Sequence, residues 1–203
     1  MNKDTGLRFV RSVVVPSSTD DQTLSAIGAE LLGELQGGER GDVFGLDVSK
    51  VRLRASQLAL VLKAPLLHIA DRNPHSKKQA PHLTYLVGID PSAGSGWDAD
   101  AALKTMSEER VRGFAMPWRS EEGTTIVGRV DKLVADTYAF VLGQANGATT
   151  AGLVASARKQ REPIRMQAAS NRLSRTAGAG LIHAARREPN KGGGGHWVYL
   201  AVR

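Results

Sequence analysis

Up to about residue 130, short apolar runs alternate with stretches of helical spacing, and past Asp131 that alternation stops. Leu7 to Pro16 is apolar and Val-rich, the composition of a strand. Between Thr23 and Leu35, the residues Leu24, Ile27, Leu31, Leu32 and Leu35 fall near helical spacing behind the capping candidates Ser18 to Asp21. Gly37-Gly38 ends that run. Asp42 to Val48 reads as a buried strand, Ala55 to Leu66 as a helix, and the polar stretch His68 to Gln79 as a loop. Leu83 to Ile89 is another buried strand. Asp98 is placed to cap a helix across Ala101 to Arg110. Gly113 to Arg119 and Thr124 to Val130 are short strands either side of the turn at Glu121-Glu122-Gly123. The order β-α-β-α-β-α-β-β predicts a layered α/β domain over residues 1–130.

From Asp131 the spacing becomes helical: Leu133, Val134, Tyr138, Val141 and Leu142 make one apolar stripe, broken by Gly143 to Ala148. Thr149-Thr150 begins a second helix through Ala157. Pro163 suits the first turn of a third, from about Ile164 to Ala177, which Gly178 and Gly180 stop. Leu181 to Arg187 and His196 to Val202 are strands, joined by the Gly-rich tip Glu188 to Gly195. Three helices followed by a two-stranded hairpin is the winged-helix order. Residues 131–203 are therefore expected to form a second domain, and the chain as a whole an α+β protein.

Charge separates the two regions more sharply. The chain carries 27 Lys+Arg against 20 Asp+Glu, a net of +7. Residues 149–203 hold ten basic and two acidic residues, a net of +8, which leaves −1 for everything before them. A basic excess confined to one patterned module is expected where that module meets a polyanion. With 41% apolar residues the chain can bury a core, yet no apolar run is long enough to span a bilayer. The polar N-terminus is wrong for a secretory signal. The absence of cysteine excludes disulfides, thiolate metal sites and thiol nucleophiles, and is compatible with the cytoplasm. No cofactor and no membrane contact are expected.

The stretch Met166 to Ile182, MQAASNRLSRTAGAGLI, resembles the recognition helix and following turn of bacterial winged helix-turn-helix regulators. Ala168 and Ala169 allow close approach, and Leu173 is the inward anchor. Gln167, Ser170, Asn171 and Ser174 lie among outward positions with Arg165, Arg172 and Arg175. Amides suit adenine edges and Arg suits guanine; Ser and Arg also suit phosphate. Thr149 and Thr150 would cap the preceding helix, whose first amides can meet a phosphate. Arg186, Arg187, Lys191 and His196 flank the wing tip. For Trp197 and Tyr199, one ring packing inward and one facing out is expected. The segment Arg158 to Glu162, RKQRE, is long and highly charged for a helix-turn-helix turn. Together these imply a non-enzymatic, sequence-specific double-stranded DNA-binding regulator of transcription.

In the first region, DVFGLDVSKVRLRASQL (residues 42–58) resembles the central strand-turn-helix of STAS-like domains, through Leu46-Asp47-Val48-Ser49, Val51 and Ser56. The resemblance implies a signal- or partner-binding domain, a protein partner engaged through residues 1–130, and phosphorylation at Ser56. Ala55 stands where that family usually has Asp, which favours Ser56 as a plain helix N-cap. A homodimer is compatible with such a regulator. Two alternatives stay open. One is a metal-dependent RNase H-like nuclease or resolvase centred on Asp90, for which YLVGIDPSAGSGW (residues 85–97) is the resemblance and Asp98, Asp100, Glu108 and Glu109 the further carboxylates. The other is a protein-interaction adaptor. His68, His75, His82, His183 and His196 show no metal-ligand spacing.

Overall fold

The computed structural model describes residues 7–70, 83–91, 96–108, 114–187 and 196–203. The chain is a mixed α/β protein with a mostly parallel sheet. Its first region runs β1 (Arg8–Val14), α1 (Asp21–Gly37), β2 (Asp42–Asp47), α2 (Ala55–Ala70), β3 (Tyr85–Ile89), α3 (Gly96–Glu108), β4 (Ala115–Ser120) and β5 (Gly123–Gly128). That is the strand and helix order expected from the apolar periodicity. The sheet order is β1-β2-β3-β4-β5; the first four strands are parallel and β5 returns antiparallel through a tight turn.

When strand order follows chain order, right-handed crossovers put every connecting helix on the same face. Here α1 packs on α2 and α2 on α3. Phe44, Leu46, Leu86, Met116 and Trp118 point from the sheet into that helical layer and meet Leu31, Leu58, Leu62 and Leu103. The alternate residues Val43, Tyr85 and Val87 form a separate cluster with Leu83 and Val202. Both faces of the central strands are thus covered, which is why DVFGLD and YLVGI are apolar without alternation. Asp42, only 4% exposed, opens β2. It accepts from Arg8 Nε and Nη2 at 2.9 and 3.1 Å and from the Glu39 amide at 2.9 Å, so its charge is paired and hydrogen-bonded.

The second region runs α4 (Lys132–Leu142), α5 (Thr150–Lys159), α6 (Met166–Gly178), β6 (Ile182–Arg187) and β7 (His196–Ala201), with β6 and β7 antiparallel. Ala148, between α4 and α5, forms an isolated bridge with Tyr199, amide to carbonyl at 2.8 Å in both directions. Val134, Tyr138, Leu153, Leu173, Leu181 and Tyr199 share one core. The Tyr138 hydroxyl donates to the Val202 carbonyl at 2.7 Å, and burial pushes its pKa up.

The two regions are packed together. Ala115 of β4 belongs to the second core, and Ile126 and Val130 pack against it. Tyr85 Oη and His183 Nδ1 are 3.0 Å apart with the rings edge-on, His183 being fully buried. Arg40 Nη2 donates to the Ala184 carbonyl at 2.9 Å. No helix among the described residues is long and apolar enough to cross a membrane.

Four local expectations are corrected. Helix α2 continues through Pro65 to Ala70 instead of ending at Leu66, because Leu66 and Ile69 are buried in the helical layer. Asp98 lies inside the first turn of α3, which begins at Gly96, and so is not its cap. Pro163 precedes α6, which begins at Met166, and is not in its first turn. Ser56 is one residue inside α2 and exposed. The cap position is Arg54, whose amide donates to Gln57 Oε1 at 3.0 Å and whose carbonyl accepts from Leu58 at 3.0 Å. The N3 Gln reaching back to the cap amide is the half of a capping box that needs no Ser at the cap.

Candidate nucleic-acid interface

Helix α6 has one strongly polar side. Ala169, Leu173, Thr176 and Ala177 are buried against the second core, whereas Gln167, Asn171 and Arg175 are exposed. The spacing of four puts these three in a row along the outer surface. Gln167 Nε2 donates to Asn171 Oδ1 at 2.9 Å, so two amides are held side by side with their remaining donors and acceptors outward. Arg175, at the far end of the row, forms an ion pair with Asp131. The other oxygen of that carboxylate accepts from the Val134 amide at 2.9 Å and caps α4. Arg175 therefore ties α6 to the start of α4, a positional role that sequence spacing did not disclose.

The remaining expected contact residues divide. Arg165 occupies the cap position of α6 and is exposed, with no side-chain cap bond. Arg172, Ser170 and Ser174 are half-buried. Burial pushes the Tyr199 pKa up, and the neighbouring Ser174 hydroxyl partly offsets that push. Thr149 caps α5, its Oγ1 accepting from the Gly152 amide at 3.1 Å, and Thr150 follows half-buried in the first turn. Arg186 and His196 are exposed on the hairpin. Arg187 belongs to β6, but its side chain lies outside the described residues, as does Lys191 altogether. Tyr199 is buried and Trp197 is 38% exposed, the inward and outward rings expected.

The charged RKQRE segment has a structural explanation. The Glu162 amide donates to the Ala157 carbonyl at 3.0 Å and the Arg161 amide to the Arg158 carbonyl at 3.2 Å. This is a Schellman ending of α5, and Arg161 takes the left-handed position with φ 62°. Glycine ordinarily fills that position, because a Cβ there is crowded against the backbone. Arg161→Gly is expected to raise stability by about 1 kcal/mol, measured by denaturant titration. A destabilised variant would show that the Arg161 side chain contributes more than its left-handed backbone costs. Arg158, Lys159, Arg161 and Arg165 are all exposed and bracket the turn leading into α6.

The carboxylates of the nuclease alternative do not converge among the described residues. Asp90 is fully buried, and its amide donates to the Arg119 carbonyl at 2.9 Å. Asp98 lies 3.8 Å from Arg52. Asp100 accepts from the Gly128 amide at 2.9 Å and pairs with Lys104 at 2.6 Å. Glu109 and the Glu108 side chain lie outside the described residues, as do His75 and His82. Among the described residues no three His, Cys, Asp or Glu group together as metal ligands. No protein-family model matches the chain, and neither does any curated protein or solved structure.

Proposed function

We propose that this protein is a sequence-specific double-stranded DNA-binding regulator in which α6 enters the major groove. The observation that carries the proposal is the exposed Gln167–Asn171 amide pair, on a helix set in a segment of net charge +8. Paired amides match the donor–acceptor pattern of adenine in the major groove. The basic residues around the turn and on the hairpin would hold the phosphates. The order α4, Ala148 bridge, α5, α6, β6, β7 supports reading this part as a winged helix, with the β6–β7 hairpin as the wing. The first region would be the signal- or partner-binding part, and its STAS-like reading rests on residues 46–56. Transcriptional regulation in the cytoplasm is the setting such an architecture suits.

The experiment is binding-site selection from random duplexes with the full chain and no added metal. The full chain is needed because the second region shares buried contacts with the sheet. Asn171→Ala is expected to weaken binding to the selected site by about 1–3 kcal/mol and binding to random duplex far less. Equal losses on both duplexes would make Asn171 a phosphate contact and move the reading face elsewhere. Selection that enriches no sequence would overturn the proposal.

A further inference from the structure

The β6–β7 hairpin is held along both of its edges, and one of the two holds comes from the first region. At the β7 edge, the Tyr199 amide and carbonyl bond Ala148 at 2.8 Å in both directions. Tyr199 stands opposite Ala184 of β6. Along an antiparallel pair, residues that bond each other alternate with residues that direct their backbone groups outward. Tyr199 directs its groups away from β6, so Ala184 directs its own away from β7. Ala184 is fully buried, and a buried carbonyl needs a donor. Arg40 Nη2 supplies it at 2.9 Å. Arg40 sits in the turn between α1 and β2, and that turn is itself pinned. The Gly41 amide donates to the Leu83 carbonyl at 2.9 Å, the Asp42 amide to the Glu39 carbonyl at 3.0 Å, and the Glu39 amide to the buried Asp42 carboxylate at 2.9 Å. Two residues beyond Ala184, toward the hairpin tip and on the same face, is the exposed Arg186.

We propose that Arg40 is a positioning residue for the DNA interface. By donating to the Ala184 carbonyl it fixes where the hairpin stands, and so where Arg186 meets a phosphate. The inference rests on the DNA-binding reading and adds to it a route by which the first region controls affinity. Arg40 is half-buried and directs its guanidinium at a backbone acceptor, so its effect on DNA passes through the hairpin. A hydrogen bond from a cation is among the stronger kinds. The contact beside it acts in the same sense: Tyr85 Oη and His183 Nδ1, 3.0 Å apart, join β3 to the preceding residue of β6. Two consecutive residues of β6 are therefore held by the first region. A shift of the 39–42 turn reaches Arg186 through an unbroken series of contacts, and a partner that moves the turn would change DNA affinity without touching DNA.

The test takes two measurements on the full chain. The first is amide hydrogen exchange without DNA. Arg40→Ala is expected to speed exchange of the β6–β7 amides about tenfold while leaving those of α4 and α5 unchanged. The second is a double-mutant cycle on the duplex obtained by selection. Arg40→Ala and Arg186→Ala should each weaken binding about fivefold, and the double variant no more than about fivefold, because both remove the same phosphate contact. If Arg40 touched DNA itself, the two losses would multiply to about 25-fold. The proposal is overturned by that result, by unchanged exchange in the hairpin, or by wild-type DNA affinity in Arg40→Ala. A wild-type chain that binds no duplex overturns the DNA reading instead; the exchange measurement, which needs no DNA, tells that failure from failure of the Arg40 contact.

Discussion

Raising salt from 50 to 200 mM is expected to weaken binding of the full chain to duplex DNA by about a thousandfold. The estimate follows from counterion release: about six neutralised phosphates give a slope near −5 in log affinity against log salt, and a fourfold rise in salt then costs about three decades. Arg158, Lys159, Arg161, Arg165 and Arg186 are all exposed, and Arg172 and His196 stand beside them on α6 and the hairpin. Arg175 is left out of this group because Asp131 already neutralises it. Arg165→Ala should therefore lower the slope by about one unit, and Arg175→Ala by much less. Fluorescence anisotropy at four salt concentrations measures both. An affinity independent of salt would remove the electrostatic basis of the proposed interface.

Gly88→Ala is expected to destabilise the protein by about 3 kcal/mol or more. Gly88 pairs with Trp118 across β3 and β4, and an added methyl would lie 2.1, 2.4 and 2.7 Å from three carbons of the indole. The ring cannot step aside cheaply, since it is buried in the same core as Met116, Leu103 and Phe114. Close-packed interiors transmit such strain instead of absorbing it. Gly33→Ala is the control. It stands exposed on α1 with nothing within 4 Å of an added Cβ, and should gain about 1 kcal/mol from helix propensity. Urea midpoints of the two variants should move in opposite directions. A Gly88→Ala midpoint within error of the wild type would mean that the Trp118 ring does not lie on that glycine.

Element order was legible because it depends on local periodicity. Leu24, Ile27, Leu31 and Leu35 announce α1, and all four are buried. The fully apolar runs of β2 and β3 announce strands covered on both faces. Helix starts were less legible. Ser56, Asp98 and Pro163 are each of a residue type that favours a helix start, and each lies a residue or more away from the one observed. A cap residue marks a start only where the chain's path lets its side chain reach a free amide, as Thr149 does at Gly152 and Asp131 at Val134. At α2 the amide was met by Gln57 from inside the helix instead.

The candidate interface shows the same division. Composition and spacing alone singled out the basic last quarter and the polar residues of α6, because net charge and a 3.6-residue period do not depend on what surrounds them. Only the tertiary structure separated the roles within that set. It set Ser174 beside Tyr199 of β7 and paired Arg175 with Asp131, which is 44 positions away in the chain. It also joined Tyr85 to His183 and brought Trp118 to Gly96. Such contacts between residues far apart in sequence leave no periodic trace, since they arise from where the packed elements happen to meet.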